Sequence, residues 1–250
     1  MQIRDDLPYW IGFQRIPGVG SGAMLELKHR FGSLRAAWEA DVDQLVSAGV
    51  SERVSTQICA KRNQVDLARE LELIERHDLQ VITFDDPAYP RLLREINHPP
   101  ALLYVRGELR PEDDVSIGMV GTRRATTYGL DMANRIATEL ARSSVTIVSG
   151  LALGIDAAAH RAALEAGGRT IAVCGCGLDT VYPPKNRRLA HQIAEHGAMI
   201  SEYPIGTRPD AKNFPARNRS ISGIVRGVVV VEAPRKSGAL ITASFAADQG

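Results

Sequence analysis

The sequence predicts an α/β protein, in which a doubly wound, mostly parallel sheet follows a small all-helical N-terminal module. Short β-branched runs alternate with segments of helical periodicity through the second half of the chain. Up to about His77, by contrast, the apolar residues keep only helical spacing. Glycines and cations also gather where strands should end and helices begin, which is where open α/β sheets bind ligands. A length of 250 residues suits one medium α/β domain plus a smaller module. The expected division is therefore a helical unit over 1–77 and an α/β unit over 78–250.

In the first unit, Met24, Leu27 and Phe31 share a helix face, as do Val54 with Ile58 and Leu67 with Leu71 and Ile74. Between the first two helices lies Ile16-Pro17-Gly18-Val19-Gly20, with Ser21 as the expected cap. A tight glycine turn of this kind reads as a helix-hairpin-helix, whose backbone N–H groups can face a phosphate, or as a plain turn within a small bundle.

The runs VITFDD and ALLYVRG then predict two strands, joined by an irregular segment holding Tyr89-Pro90 and Pro99-Pro100. After the acidic turn PEDD come VSIGMVG, VTIVSG, TIAVCG, AMISE and GVVVVEA, five strands with helices between them. In the first of these helices Leu130, Ala133, Ile136 and Leu140 are expected to share the buried face. The chain stops at Ala247-Asp248-Gln249-Gly250, at the end of a helix, where the alternation leads one to expect another strand.

The loops after the strands carry the chemistry. Gly121-Thr122-Arg123-Arg124 offers close backbone approach, helix-start N–H groups and a bidentate arginine to a phosphate. Gly150 and Gly154 flank a loop of small residues, followed by Asp156 and, four residues on, His160. These two can face each other on a helix, but no nucleophile stands near them, so capping and loop positioning are the expected roles. Gly175-Cys176-Gly177 leads to Tyr182-Pro183-Pro184-Lys185-Asn186-Arg187-Arg188, which combines an aromatic ring with three cations. Phe214-Pro215-Ala216-Arg217-Asn218-Arg219 repeats that combination ahead of a helical stretch, and Arg235-Lys236-Ser237-Gly238 opens a last helix. Together they place at least four cations along one sheet edge, the footprint of an elongated polyanion with stackable bases.

The composition narrows the field. A net charge of +1 gives no global attraction to nucleic acid, so local loops must supply it. Three cysteines, Cys59, Cys174 and Cys176, make neither a disulfide framework nor a zinc pattern, and no metal or cofactor is expected. No stretch has the length of a membrane span, and the start of the chain has no signal-peptide core, so a cytoplasmic location is expected. No G-x-G-x-x-G with an acidic ribose partner marks a nicotinamide enzyme.

In order, VGTRRATTYG, SGLALGIDAAAHRAAL, GCGLDTVYPPKN, FPARNRSISG and VVVVEAPRKSGALITA resemble the DNA-processing protein A (DprA/Smf) family. The likeness reaches back through YPRLL and PPALLYVRG to the N-terminal glycine turn. It implies a Rossmann-like core, a helical module of sterile-alpha-motif type, a homodimer, and no catalysis. The implied role is binding of single-stranded DNA in natural transformation, protecting the incoming strand and helping to load the recombinase RecA. Carried over by match, Arg123 and Lys185 contact phosphates, while Gly121, Gly150, Gly154, Gly175 and Gly177 shape the pocket. Arg217 and Arg219 follow as groove residues, and the loop reading adds Thr122, Asn186, Phe214, Ser237 and Gly238. Many members continue into a further strand and a winged-helix-like domain, which this chain is expected to lack.

A similar core occurs in lysine-decarboxylase-like phosphoribohydrolases, which makes a nucleotide-binding enzyme of that type the alternative. Their Pro-Gly-Gly-x-Gly-Thr-x-x-Glu loop has as its counterpart Pro234 to Thr242, which lacks the glycine pair and the glutamate.

Overall fold

The computed structural model describes residues 2–250. Six helices come first: α1 (Gln2–Gln14), α2 (Ser21–Phe31), α3 (Leu34–Glu39), α4 (Val42–Ser47), α5 (Glu52–Lys61) and α6 (Leu67–Arg76). Asp41 and Asp66 cap α4 and α6 by accepting from Gln44 N–H and Arg69 N–H. The cap of α2 is Gly20 and not Ser21, which is already the first helical residue. Buried Asp6 accepts from the N–H groups of Leu34 and Arg35 and pairs with Lys28, tying α1 to α2 and α3.

Then follow β1 (Gln80–Thr83), α7 (Arg91–Glu95), β2 (Leu102–Gly107), β3 (Ser116–Gly121), α8 (Thr127–Arg142), β4 (Thr146–Ser149), α9 (Ile155–Glu165) and β5 (Thr170–Cys174). The chain ends with α10 (Arg187–His196), β6 (Ala198–Ser201), α11 (Asn213–Gly223), β7 (Val228–Glu232) and α12 (Gly238–Asp248). One seven-stranded sheet has the order β1-β2-β6-β5-β4-β3-β7. The strands β3 to β7 are all parallel, and β1 and β2 extend the sheet through antiparallel pairs. The doubly wound, mostly parallel expectation therefore holds.

Helices α8, α9 and α10 cover one face, and α7, α11 and α12 the other. The helical module adds to the first face. Trp10, Phe13 and Leu27 share an apolar cluster with Tyr104, Cys174, Leu189 and Met199. Tyr104 O–H donates to Gln14, and Arg15 donates to the carbonyl of Ile205 at 3.0 Å. This seats the glycine turn against the β6–α11 connection, with Ile16 and Val19 buried.

The buried stripe of α8 differs from expectation. Ala133 is buried as expected, and Ile136 and Leu140 pack half-buried against the same cluster, but the fully buried stripe is Gly129, Ala133, Ala137 and Ala141, and Leu130 is 39% exposed. Small residues four apart let α8 and α9 approach closely, which a leucine stripe would prevent. Among the described residues no helix is long and apolar enough to cross a membrane.

Candidate nucleic-acid interface

Strands β3 and β7 are neighbours, yet their following helices lie on opposite faces of the sheet. The connections therefore diverge beyond the carboxyl ends of these strands and open a crevice. A cleft of about 350 Å³ occupies it, lined by the loop from Gly121 to Arg124, by Phe214 and Arg217 of α11, and by Lys236, Ser237 and Gly238. A smaller recess of about 60 Å³ continues from it past Gly150 and Leu153 to Tyr182 and Pro183.

The loop after β3 is held from β7. Glu232 accepts from the Thr126 N–H and hydroxyl, both at 3.0 Å, and its carbonyl accepts from Thr122 N–H at 2.7 Å. This leaves Arg123 and Arg124 exposed. The Thr122 hydroxyl turns back to accept from Arg124 N–H, so it serves the loop itself. The Arg123 guanidinium lies 5.5 Å from the centre of the Phe214 ring, and Tyr182, 42% exposed, lies 5.7 Å from that ring at a 32° tilt. An aromatic platform flanked by a free cation can stack a base and hold its phosphate.

Phe214 and Arg217 were expected in a loop but stand in the first two turns of α11. Three residues apart, they share a face. Arg217 is only 5% exposed and donates to the carbonyls of Gly150 and Val173 at 2.7 and 2.6 Å. Burial lowers its pKa, and burial raises that of Asp156, each opposed by the charge of the other. Arg219, two residues on, faces the other way and pairs with Glu202 at 3.3 Å. It is thus drawn off the cleft by an internal carboxylate.

Asp156 accepts from the N–H groups of Gly150 and Ala152 at 3.1 and 3.3 Å, so these donors serve the loop's own shape. His160 does not meet it. The Thr170 hydroxyl donates to the Ile147 carbonyl, so at 2.6 Å it accepts from the His160 Nδ1–H. Nε2 is left bare in the core, and burial holds the imidazole pKa down to about 3. The expected positioning role of Asp156 matches this geometry, and an Asp–His pair does not form.

The glycines act mostly inward. A Cβ on Gly150 would sit 2.7 Å from the Arg217 guanidinium, one on Gly175 2.9 Å from the Phe214 ring, and one on Gly177 2.7 Å from the Pro204 carbonyl. At Gly121 the space is filled by Ile155, and at Gly154, whose φ is +76°, by the Thr122 carbonyl. Only Gly238 among these predicted positions faces open space, beside Ser237, whose hydroxyl accepts from Ala239 N–H. Its backbone is where a phosphate can approach closely.

Asn186 is buried, its amide donating to the carbonyls of Leu151 and Ala152, while Lys185 before it is exposed. Two organising residues escaped the sequence reading, Glu232 and Asn213; Asn213 donates to the Gly175 carbonyl. A lone carboxylate closing a hydrophobic strand was the available signal for the first. The asparagine carried none.

Residues 80–250 match the family model described as DNA recombination-mediator protein A. The chain is 45% identical to Protein Smf of Synechocystis sp. over 95% of its length, and spans 61% of that relative. With the DNA processing protein DprA of Bacillus subtilis it shares 38% identity, over 85% of this chain and 75% of that one. The X-ray structure of DNA processing protein A from Streptococcus pneumoniae superposes with a TM-score of 0.84 at 34% identity, covering 97% of this chain and 84% of the other. A Helicobacter pylori DNA processing protein A, described for its single-stranded DNA binding mode, aligns with a TM-score of 0.63 at 33% identity, over 69% and 79%.

Proposed function

The chain belongs to the DNA recombination-mediator protein A family, and from that premise we propose that its β3–β7 cleft binds single-stranded DNA without chemical change to it. The observation that carries the reading is the Phe214–Tyr182 platform with Arg123 beside it. A base can lie on the platform's rings only when it is released from a duplex, and the free cations neutralise the backbone beside it.

Arg123, Arg124 and Lys236 are the phosphate-facing cations of the cleft in this reading, with Gly238 admitting the backbone and Lys185 meeting the strand just beyond the Tyr182 end. Arg217, Asn186, Thr122 and the inward glycines build the platform, and Arg219 lies outside it. Residues 78–250 form the binding unit and 1–77 the accessory helical module. His160 is neutral and buried, and Asp156 is held by backbone donors, so in this reading both shape the loop and neither acts on the strand. The relatives' names support a role in DNA processing, and one of them is described for binding single-stranded DNA. The role proposed for this chain is in natural transformation, in the cytoplasm, where the incoming strand is protected and passed to RecA. In that role the protein acts as a homodimer, which doubles the cationic edge and compensates for a net charge of only +1.

The test is anisotropy titration with a labelled oligothymidine. Phe214→Ala and Arg123→Ala should each weaken binding about tenfold, from the stacking and phosphate contacts removed. Wild-type affinity in both folded variants would overturn the assignment.

A further inference from the structure

We infer that the groove between α9 and α10 is a second stretch of the single-strand path, holding the phosphates that follow those in the cleft. The inference rests on the single-strand reading above. Both helices start at the carboxyl edge of the sheet, so the groove between them descends from that edge along one face. Its volume is about 610 Å³, larger than the cleft. The wall on α9 carries Arg161 and the wall on α10 carries Arg188, with Lys185 at the upper end and Gln192 lower down. Leu189 forms part of the floor, and Glu165 is the one carboxylate in the lining.

Arg161, Lys185 and Arg188 are all exposed, and among the described residues none is engaged in an ion pair. Arg161 stands four residues before Glu165, the spacing at which helical ion pairs form, and still makes none. Three unpaired cations around one elongated groove suit consecutive phosphates of a flexible chain. Continuity identifies the ligand. Tyr182 and Pro183 line the recess of the cleft, and Lys185, two residues further, lines the groove. A strand leaving the Phe214 platform past Tyr182 meets Lys185 next, and then the arginine pair.

The experiment compares oligothymidines of about 6 and about 20 nucleotides, the first filling the cleft and the second reaching beyond it. Wild-type protein, Arg161→Ser/Arg188→Ser and the charge-keeping Arg161→Lys/Arg188→Lys are titrated with both. The serine variant should bind the short strand like wild type but the long one about tenfold more weakly, and its salt slope should fall by about 1.4 for two lost phosphate contacts. The lysine variant should keep the long-strand advantage. Unchanged long-strand affinity and slope in the serine variant would overturn the groove. Failure of wild type to bind the short strand would instead overturn the cleft reading, and the groove with it.

Discussion

Four arginines within reach of one another in the sequence reading reach different ends in the folded chain. Arg123 stays free over an aromatic ring, Arg188 lies on a helix groove, Arg217 is buried on two carbonyls, and Arg219 is paired to Glu202. Arg217→Met should therefore act on stability first. It leaves Asp156 without its opposing charge and two carbonyls without donors, a loss of about 3–5 kcal/mol in urea unfolding. Arg123→Ala should leave the urea midpoint unchanged while weakening DNA binding, because its side chain is exposed and accepts no structural duty. Equal midpoints for the two variants would contradict this division. The sequence showed which residues were cationic and near strand ends, but not which would meet an internal acceptor. That depends on carbonyls of Gly150 and Val173, contributed by other segments.

At the scale of elements, the strands were the most legible part. Each apolar run became a strand: the inner strands β4, β5 and β6 are buried on both faces and need a continuous apolar run, and the half-buried edge strand β7 is set by its four consecutive β-branched valines. Helix faces were less legible. The α8 pattern favoured Leu130, while close packing on α9 selected the alanines and the Glu232 side chain selected Gly129. Likewise, reading Phe214 to Arg219 as a loop hid the rotation of α11, which puts Phe214 and Arg217 together and sends Arg219 away. The turn at Gly175 shows how an element sets the site. Gly175→Ala should push the Phe214 ring, 2.9 Å from the added methyl, and weaken oligothymidine binding several-fold with little change in unfolding. Fluorescence titration alongside urea unfolding checks it, and unaltered binding would mean that the ring position is not set by this contact.

For the whole molecule, the charge balance and the local field point in different directions. A net charge of +1 provides no long-range pull, yet the unpaired cations collect along one edge and one flanking groove of the sheet. The helical module contributes to this indirectly: its apolar cluster supports β2, β5 and β6 from the face that carries α10. Its glycine turn docks through Arg15 near Ile205, on the β6–α11 connection. That the chain would be a doubly wound sheet with a helical preface was legible from periodicity alone, whereas the direction of each glycine, inward or toward a ligand, was not. The central claim is that an aromatic platform with the free Arg123 beside it, in a cleft lined also by Arg124 and Lys236, selects an unpaired strand. The most direct test titrates the 250-residue chain with single-stranded and double-stranded oligonucleotides of equal length at two salt concentrations. The account predicts tighter binding to the single strand, weakening as salt rises. Equal affinity for the duplex, or single-strand binding indifferent to salt, would contradict it.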